Sequence, residues 1–444
     1  MPTAPSLGIP ELAGIASYKE ATRIGLSVAD AARRLLRYHW VEKRLARIIV
    51  TRLAATPEWE VKGGFALHQW LDLEHAANLA ARIDELDPDA DLAAPPDDDL
   101  ERFLAEIEQA QDTMELLAGA YRVCRADLVL AYRLHVDAVN PLVDYPTRRA
   151  LRMNLQEEEE ALGWGARSLG ALIGTSIEND ARIRKWEDHL RQFLGAARGI
   201  AGDLPPNHGM TLPPPRPRRA TIDFAPRRDD RFSMIPNAER AAESLAADPA
   251  ASPAARNIAL LALRLRAMNH VEILASVIAQ MPDLPEAEVR ELSRQIWDEA
   301  RHAMAGEAAF EARRVDWTRV PASIISALAL NVHATPEERR LLLYALEQQI
   351  IQRRATYNEV ETANAAGDPL AAHYFDFEEA ADRHHARRLR ERMGATRRLT
   401  AETAELLNRL QQRIFKAAGA RADASPSGDW LSALLQAAVP DQSS

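Results

Sequence analysis

The chain has little of several things, and each shortage narrows the reading. A single cysteine, Cys124, stands among 444 residues, which excludes an internal disulfide and a cysteine-built zinc or iron–sulfur site. A reducing, cytoplasmic location follows as an expectation. Aromatic residues make up only 6% and glycine contributes 19 residues, so a β-rich fold is disfavoured. No stretch approaches the length of apolar sequence needed to span a membrane, and Met1 to Gly14 lacks the basic cluster and apolar run of an export signal. A glycine-rich phosphate loop and a dinucleotide fingerprint are both missing. With a formal charge of −10, a general nucleic-acid binder is not expected, despite a local basic cluster at Arg216 to Arg219.

What is abundant is alanine, leucine, arginine and glutamate, the residues that favour helix. An all-α fold is expected. The prolines from Pro205 to Pro236 interrupt any helical period, giving a helical domain over 1–202, a Pro-rich linker over 203–236, a second helical domain over 237–420 and a flexible tail over 421–444. Asp368-Pro369 reads as a helix cap followed by a first helical residue, and Asp248-Pro249 and Ser252-Pro253 offer similar starts before the run Ala254 to Ala279. A short helix is expected around Trp430 to Ala438.

Within the second domain, carboxylates and imidazoles recur in a fixed order: Glu272 alone, Glu299-Ala-Arg-His302, Glu347 alone, then Asp382-Arg-His-His385. Positions three apart lie on nearly the same helix face, so each Glu/Asp-x-x-His can offer both ends to one space. Glu272 shares a stripe with Leu261, Leu265, Met268, Ala275 and Ala279. Glu299 and His302 share one with Leu292, Ile296, Gly306 and Phe310. Glu347 falls with Leu343, Ile350 and Ile351, while Asp382 and His385 fall with Phe375, Ala386 and Leu389. Four carboxylates aimed at one core could not all stay ionised without counter-charge, since a buried unpaired carboxylate costs several kcal/mol. Two divalent cations would supply that charge, and the nitrogen and oxygen donors suit iron or manganese. The expected ligands are Glu272, Glu299, His302, Glu347, Asp382 and His385. Glu378 or Glu379 could replace or supplement Asp382, His384 competes with His385, and Glu359 or Glu361 is an alternative to Glu347. Arginines at 264, 301, 354 and 383 offer the plainer alternative of core ion pairs.

An echo lies earlier. His39-Trp-Val-Glu42 parallels Asn269-His-Val-Glu272, and Trp70-Leu-Asp-Leu-Glu-His75 parallels Trp297-Asp-Glu-Ala-Arg-His302. The lone and paired carboxylates are 30 residues apart in the first block (72 − 42) and 27 in the second (299 − 272), the span of one antiparallel hairpin. Asp127 and Glu160 stand where the third and fourth carboxylates belong, but Gly163 replaces the histidine. Glu42, Asp72 and His75 could hold one ion, but without the second imidazole no dinuclear centre is expected in the first block, and the run Glu157 to Glu160 is expected to be part solvated face and part core ion pair with Arg149 or Arg152.

At Glu272, Asp298-Glu-Ala-Arg-His302, Glu347 and Asp382-Arg-His-His385 the chain resembles the ferritin-like superfamily of dimetal-carboxylate proteins, over about residues 254 to 394, with a degraded copy over 30 to 175. The resemblance implies two tandem ferritin-like four-helix bundles and a centre of two iron ions, with manganese or a mixed pair as the variant. Dioxygen chemistry on a small organic substrate is the implied function, with electrons from an external donor. A ferroxidase-like or non-catalytic metal-binding protein is the alternative. No nucleic-acid or membrane partner is expected, and a homodimer is allowed. Asp382 departs from the usual glutamate, and Tyr344 stands one turn before Glu347.

Overall fold

The computed structural model describes residues 8–205, 212–218, 222–339, 341–342, 358–393 and, further on, 405, 408–410, 412–414, 416 and 429–438. These residues are all-α: helices and turns, with one isolated bridge between Met234 and Ala322. No described helix is long and apolar enough to cross a membrane. The chain divides into two compact units, one comprising Met1–Ile48 and Leu71–Ala220, the other Ile49–Trp70 and Thr221–Ser444.

The first unit is framed by long rods whose starts are written in the sequence. Helix α1 (Val28–Leu53) follows Ser27, whose hydroxyl accepts from Asp30 N at 3.1 Å. Its residues up to Ile48 belong to this unit, as do those of α2 (Trp59–Leu86) from Leu71 onward. Helix α3 (Asp98–Ile107) is capped by Asp97, which accepts from Leu100 N at 2.7 Å. Three segments in succession form α4: Thr113–Leu117, a π-helical stretch Ala118–Arg125, and Ala126–Ala138. Then come α5 (Tyr145–Ile173) and α6 (Ile177–Ala196). A π stretch adds a residue to each hydrogen-bonded ring and so rotates everything beyond it relative to an α-helical count. Here it buries Tyr121, Cys124 and Arg125 together. Gly165 on α5 makes room for Tyr121, because a Cβ there would lie 2.3 Å from its ring.

The second unit contains α7 (Glu239–Ala247), α8 (Pro253–Arg264), α9 (Ala267–Gln280), α10 (Glu286–Ala312), α11 (Ile325–His333), α12 (Glu359–Ala365), α13 (Pro369–Met393) and α14 (Asp429–Ala438). Ser252 and Asp368 cap α8 and α13 as their proline signatures indicate, accepting from Ala255 N at 3.2 Å and Ala371 N at 3.1 Å. Asp248-Pro249 does the reverse of what was expected and ends α7; proline pushes the residue before it out of helical geometry. The run from Ala254 to Ala279 is two helices, broken at Leu265 and Arg266. Helix α9 is the hub of this unit, buried on every face from Val271 to Ala279.

Candidate metal centres

In the second unit, α10 and α13 bring Glu299, His302 and Asp382 together, with ligand atoms all within 4.8 Å of one another. Glu299 and His302 are one turn apart on α10, and His302 Nδ1 lies 3.6 Å from Glu299 Oε2. His270, from α9, donates toward the same oxygen at 3.3 Å. Burial alone would raise the Glu299 carboxyl, but the two imidazoles outweigh it and hold the group well below its usual range. His302 moves oppositely: burial disfavours its charged form, yet Glu299 lifts it above an ordinary histidine. Its other ring nitrogen, Nε2, is buried without a hydrogen-bond partner. Two carboxylates and one imidazole with an orphaned ring nitrogen fit a nitrogen- and oxygen-preferring divalent cation.

The other expected ligands go elsewhere. Glu272, fully buried on α9, is held by Lys62 Nζ and by the Arg228 guanidinium, which also donates to Asn269 Oδ1 at 2.9 Å. His385 Nε2 donates to Asp298 at 2.9 Å. Burial opposes the charged imidazole, but Asp298 and Glu291 lift His385 to about 9. Glu347 and Tyr344 lie outside the described residues. Two alternatives considered for the ligand set, Glu359 and Glu378, are both bound by Arg264, at 2.6 and 2.9 Å.

His270 was missed. It sits two residues, or 200°, from Glu272, so only one of the two can face Glu299. The stripe that favoured Glu272 was counted along a helix buried on all sides from Val271 to Ala279, where a stripe carries no information.

Beside His302 a pocket of about 340 Å³ opens, lined by His302, Met304, Ala305, Ala308, Phe377 and Glu378 among others. His373 and Tyr374 also line it, and His373 meets Phe377 edge to face at 4.9 Å.

The first unit carries its own cluster. Glu42 (α1), Asp72 and His75 (α2) and Glu158 (α5) are all buried, with ligand atoms within 4.8 Å of one another. A buried carboxylate and imidazole group of this kind could hold a metal ion. Asp127 is not part of it; it accepts from Ile200 N at 2.7 Å. Nor is Glu160, which is exposed. In the run Glu157 to Glu160, the core member is Glu158, and its partner is Arg125 at 2.5 Å rather than Arg149 or Arg152. Four successive glutamates cover every face of a helix, so their order could not single out Glu158, and the π stretch hid Arg125. The chain matches no protein-family model, no curated protein and no solved structure.

Proposed function

We propose that the second unit is a ferritin-like dimetal-carboxylate oxidoreductase that uses dioxygen to oxidise a small organic molecule. The observation that carries the reading is His302: its ring stands with Glu299 and Asp382, its Nε2 is buried without a hydrogen-bond partner, and it lines a pocket large enough for a small ligand. In this reading Glu299, His302 and Asp382 hold the first ion, and Glu347 is the further ligand expected from the segment outside the described residues. Bound iron or manganese would supply the electron transfer to dioxygen that no side chain can.

The chain's own residues do the rest. His270 fixes the Glu299 carboxylate in one orientation. Arg294, Arg301 and His385 engage Asp298, so that of the adjacent carboxylates only Glu299 is left to face His302. Met304, Ala305, Ala308 and Phe377 give the pocket apolar walls that select an apolar body and thin out water near the ligands. Tyr374 and His373 offer it polar groups.

Full-length protein loaded anaerobically with ferrous iron should bind metal, and His302→Ala and Glu299→Ala should lose most of it while circular dichroism stays helical. Oxygen uptake with a reductant should then be stimulated by an organic substrate. Wild-type metal content in both variants would refute the site. Oxygen uptake driven by ferrous iron alone, with no organic product from a substrate panel, would replace the oxygenase reading with a ferroxidase one.

A further inference from the structure

The centre of the first unit sets a problem in charge. Three carboxylates and an imidazole, from Glu42, Asp72, Glu158 and His75, share one volume with at most 1% exposure each. A positive charge already sits among them. Arg125 is fully buried; its Nη2 donates to both oxygens of Asp72 at 2.7 Å, and its Nη1 donates to Glu158 Oε1 at 2.5 Å. Its guanidinium carbon lies 5.0 Å from the centre of the Tyr121 ring. We propose that this is a cation site filled by the chain itself, in which the Arg125 guanidinium takes the place of a metal ion, and that removing it would uncover a working metal site.

Geometry comes first. An ion bound here would have to draw on Asp72 and Glu158, and the guanidinium fork lies across those two groups. Its two Nη groups make charge-assisted hydrogen bonds to two different carboxylates at once. Next comes charge. The Arg125 guanidinium is a full positive charge set among the carboxylates of Glu42, Asp72 and Glu158, while His75 is turned to a further carboxylate, its Nε2 bonded to Glu157 at 2.7 Å. Tyr132 donates to Glu42 Oε1 at 2.6 Å, so that oxygen already has a partner. A divalent cation would add two positive charges beside a guanidinium that does not give up its proton. The donors that would remain for it, Glu42 Oε2, Glu158 Oε2 and His75 Nδ1, are buried atoms that make no hydrogen bond. The ligand set is therefore present and blocked. Arg125 is also held in position from behind, since it ends the π-helical stretch and stacks on a tyrosine whose place depends on Gly165.

The test is independent of the second unit. Cobalt(II) would be titrated into full-length His302→Ala protein, with visible absorption and metal analysis after dialysis as readouts. With Arg125 intact, no bound cobalt should depend on His75. Arg125→Ala in the same background should gain about one cobalt per chain, as expected for one nitrogen- and oxygen-rich site, and lose it again on adding His75→Ala; cobalt should also raise its melting temperature. Arg125→Lys, which keeps a cation, should stay cobalt-free. Cobalt bound to the Arg125-intact chain and lost with His75→Ala would overturn the proposal, as would a folded Arg125→Ala chain that binds none. Should Arg125→Ala fail to fold without metal, recovery of its helical signal by added cobalt supports the proposal. If it folds under neither condition, the Arg125-intact titration decides.

Discussion

Lys62 and Glu272 are both fully buried, and the consequences of removing them should be very unequal. Lys62 Nζ donates to the carbonyls of Ala54 and Arg227 and to Glu272; Arg228 holds the same carboxylate through both of its oxygens. In Lys62→Met nothing is stranded. Glu272 keeps Arg228, the Arg227 carbonyl still accepts from Arg228 Nη1 at 2.8 Å, and the Ala54 carbonyl still accepts from Arg227 N at 3.1 Å. The cost should stay within about 1 kcal/mol, because a buried cation leaves with its bonds and an apolar chain of similar length takes its place. Glu272→Gln leaves the buried Arg228 guanidinium without its anion; the expected cost is about 3–5 kcal/mol. Urea unfolding of the full-length chain at pH 7 measures both. There is also a pH signature. Burial first, and then Arg228, lower the Lys62 ammonium from 10.5 to about 7 against the pull of Glu272. The native state therefore releases the proton near pH 7 while the unfolded chain holds it to 10.5. Across that window the unfolded state binds more protons, so wild type gains stability over Lys62→Met as pH rises, at about 1.4 kcal/mol per pH unit and about 2 kcal/mol by pH 8.5. Equal losses in the two variants at pH 7, or a wild-type advantage that shrinks as pH rises, would refute the reasoning.

Metal content supplies a companion result: Glu272→Gln should keep whatever metal the folded wild type binds, because Glu272 faces Lys62 and Arg228, and its loss in a folded variant would return Glu272 to the ligand set. Gly165→Ala places a methyl 2.3 Å from the Tyr121 ring, against the rigid part of a packed side chain, and should destabilise the first unit by about 1–3 kcal/mol; an unchanged thermal melt would show that the ring can move. Glu158 is drawn to about 2 because Arg125 and His75 overcome its burial. Its contribution is complete above pH 4.5 and is lost as pH falls toward 2, on the order of 3 kcal/mol. Glu158→Gln should accordingly be much less stable than wild type at pH 7 and close to it at pH 2, as followed by chemical denaturation.

The sequence disclosed most where geometry is local. Helix content followed from composition, and the starts of α8 and α13 from Ser252-Pro253 and Asp368-Pro369, because a cap and a proline act within one turn. The i, i+3 spacing of Glu299 and His302 likewise settles their shared face whatever surrounds the helix. What failed depended on what packs around a helix. Along a helix buried on all sides, a stripe could not choose between Glu272 and His270, and the separation of Asp127 from Glu160 could not reveal that Arg125, at the end of a π-helical stretch, enters the acidic cluster while Asp127 accepts from Ile200 N. Partner choice was least legible, since Lys62 and Arg228 lie 210 and 44 positions from Glu272 and no local pattern couples them. Arg228 even belongs to the proline-rich stretch that reads as a spacer.

That separation of 210 positions between Lys62 and Glu272 also has a history in time. A ribosome adding 5–20 residues per second makes Lys62 roughly ten to forty seconds before Glu272 exists. Throughout that interval Lys62 is a hydrated ammonium, and Trp59, Phe65 and Trp70 have none of their later neighbours. The nascent chain must carry an orphaned hairpin tip while half the protein is still being translated. A gene cut within the proline-rich stretch would make the interval permanent, giving one fragment with a surplus apolar tip and another with a core that lacks a wall.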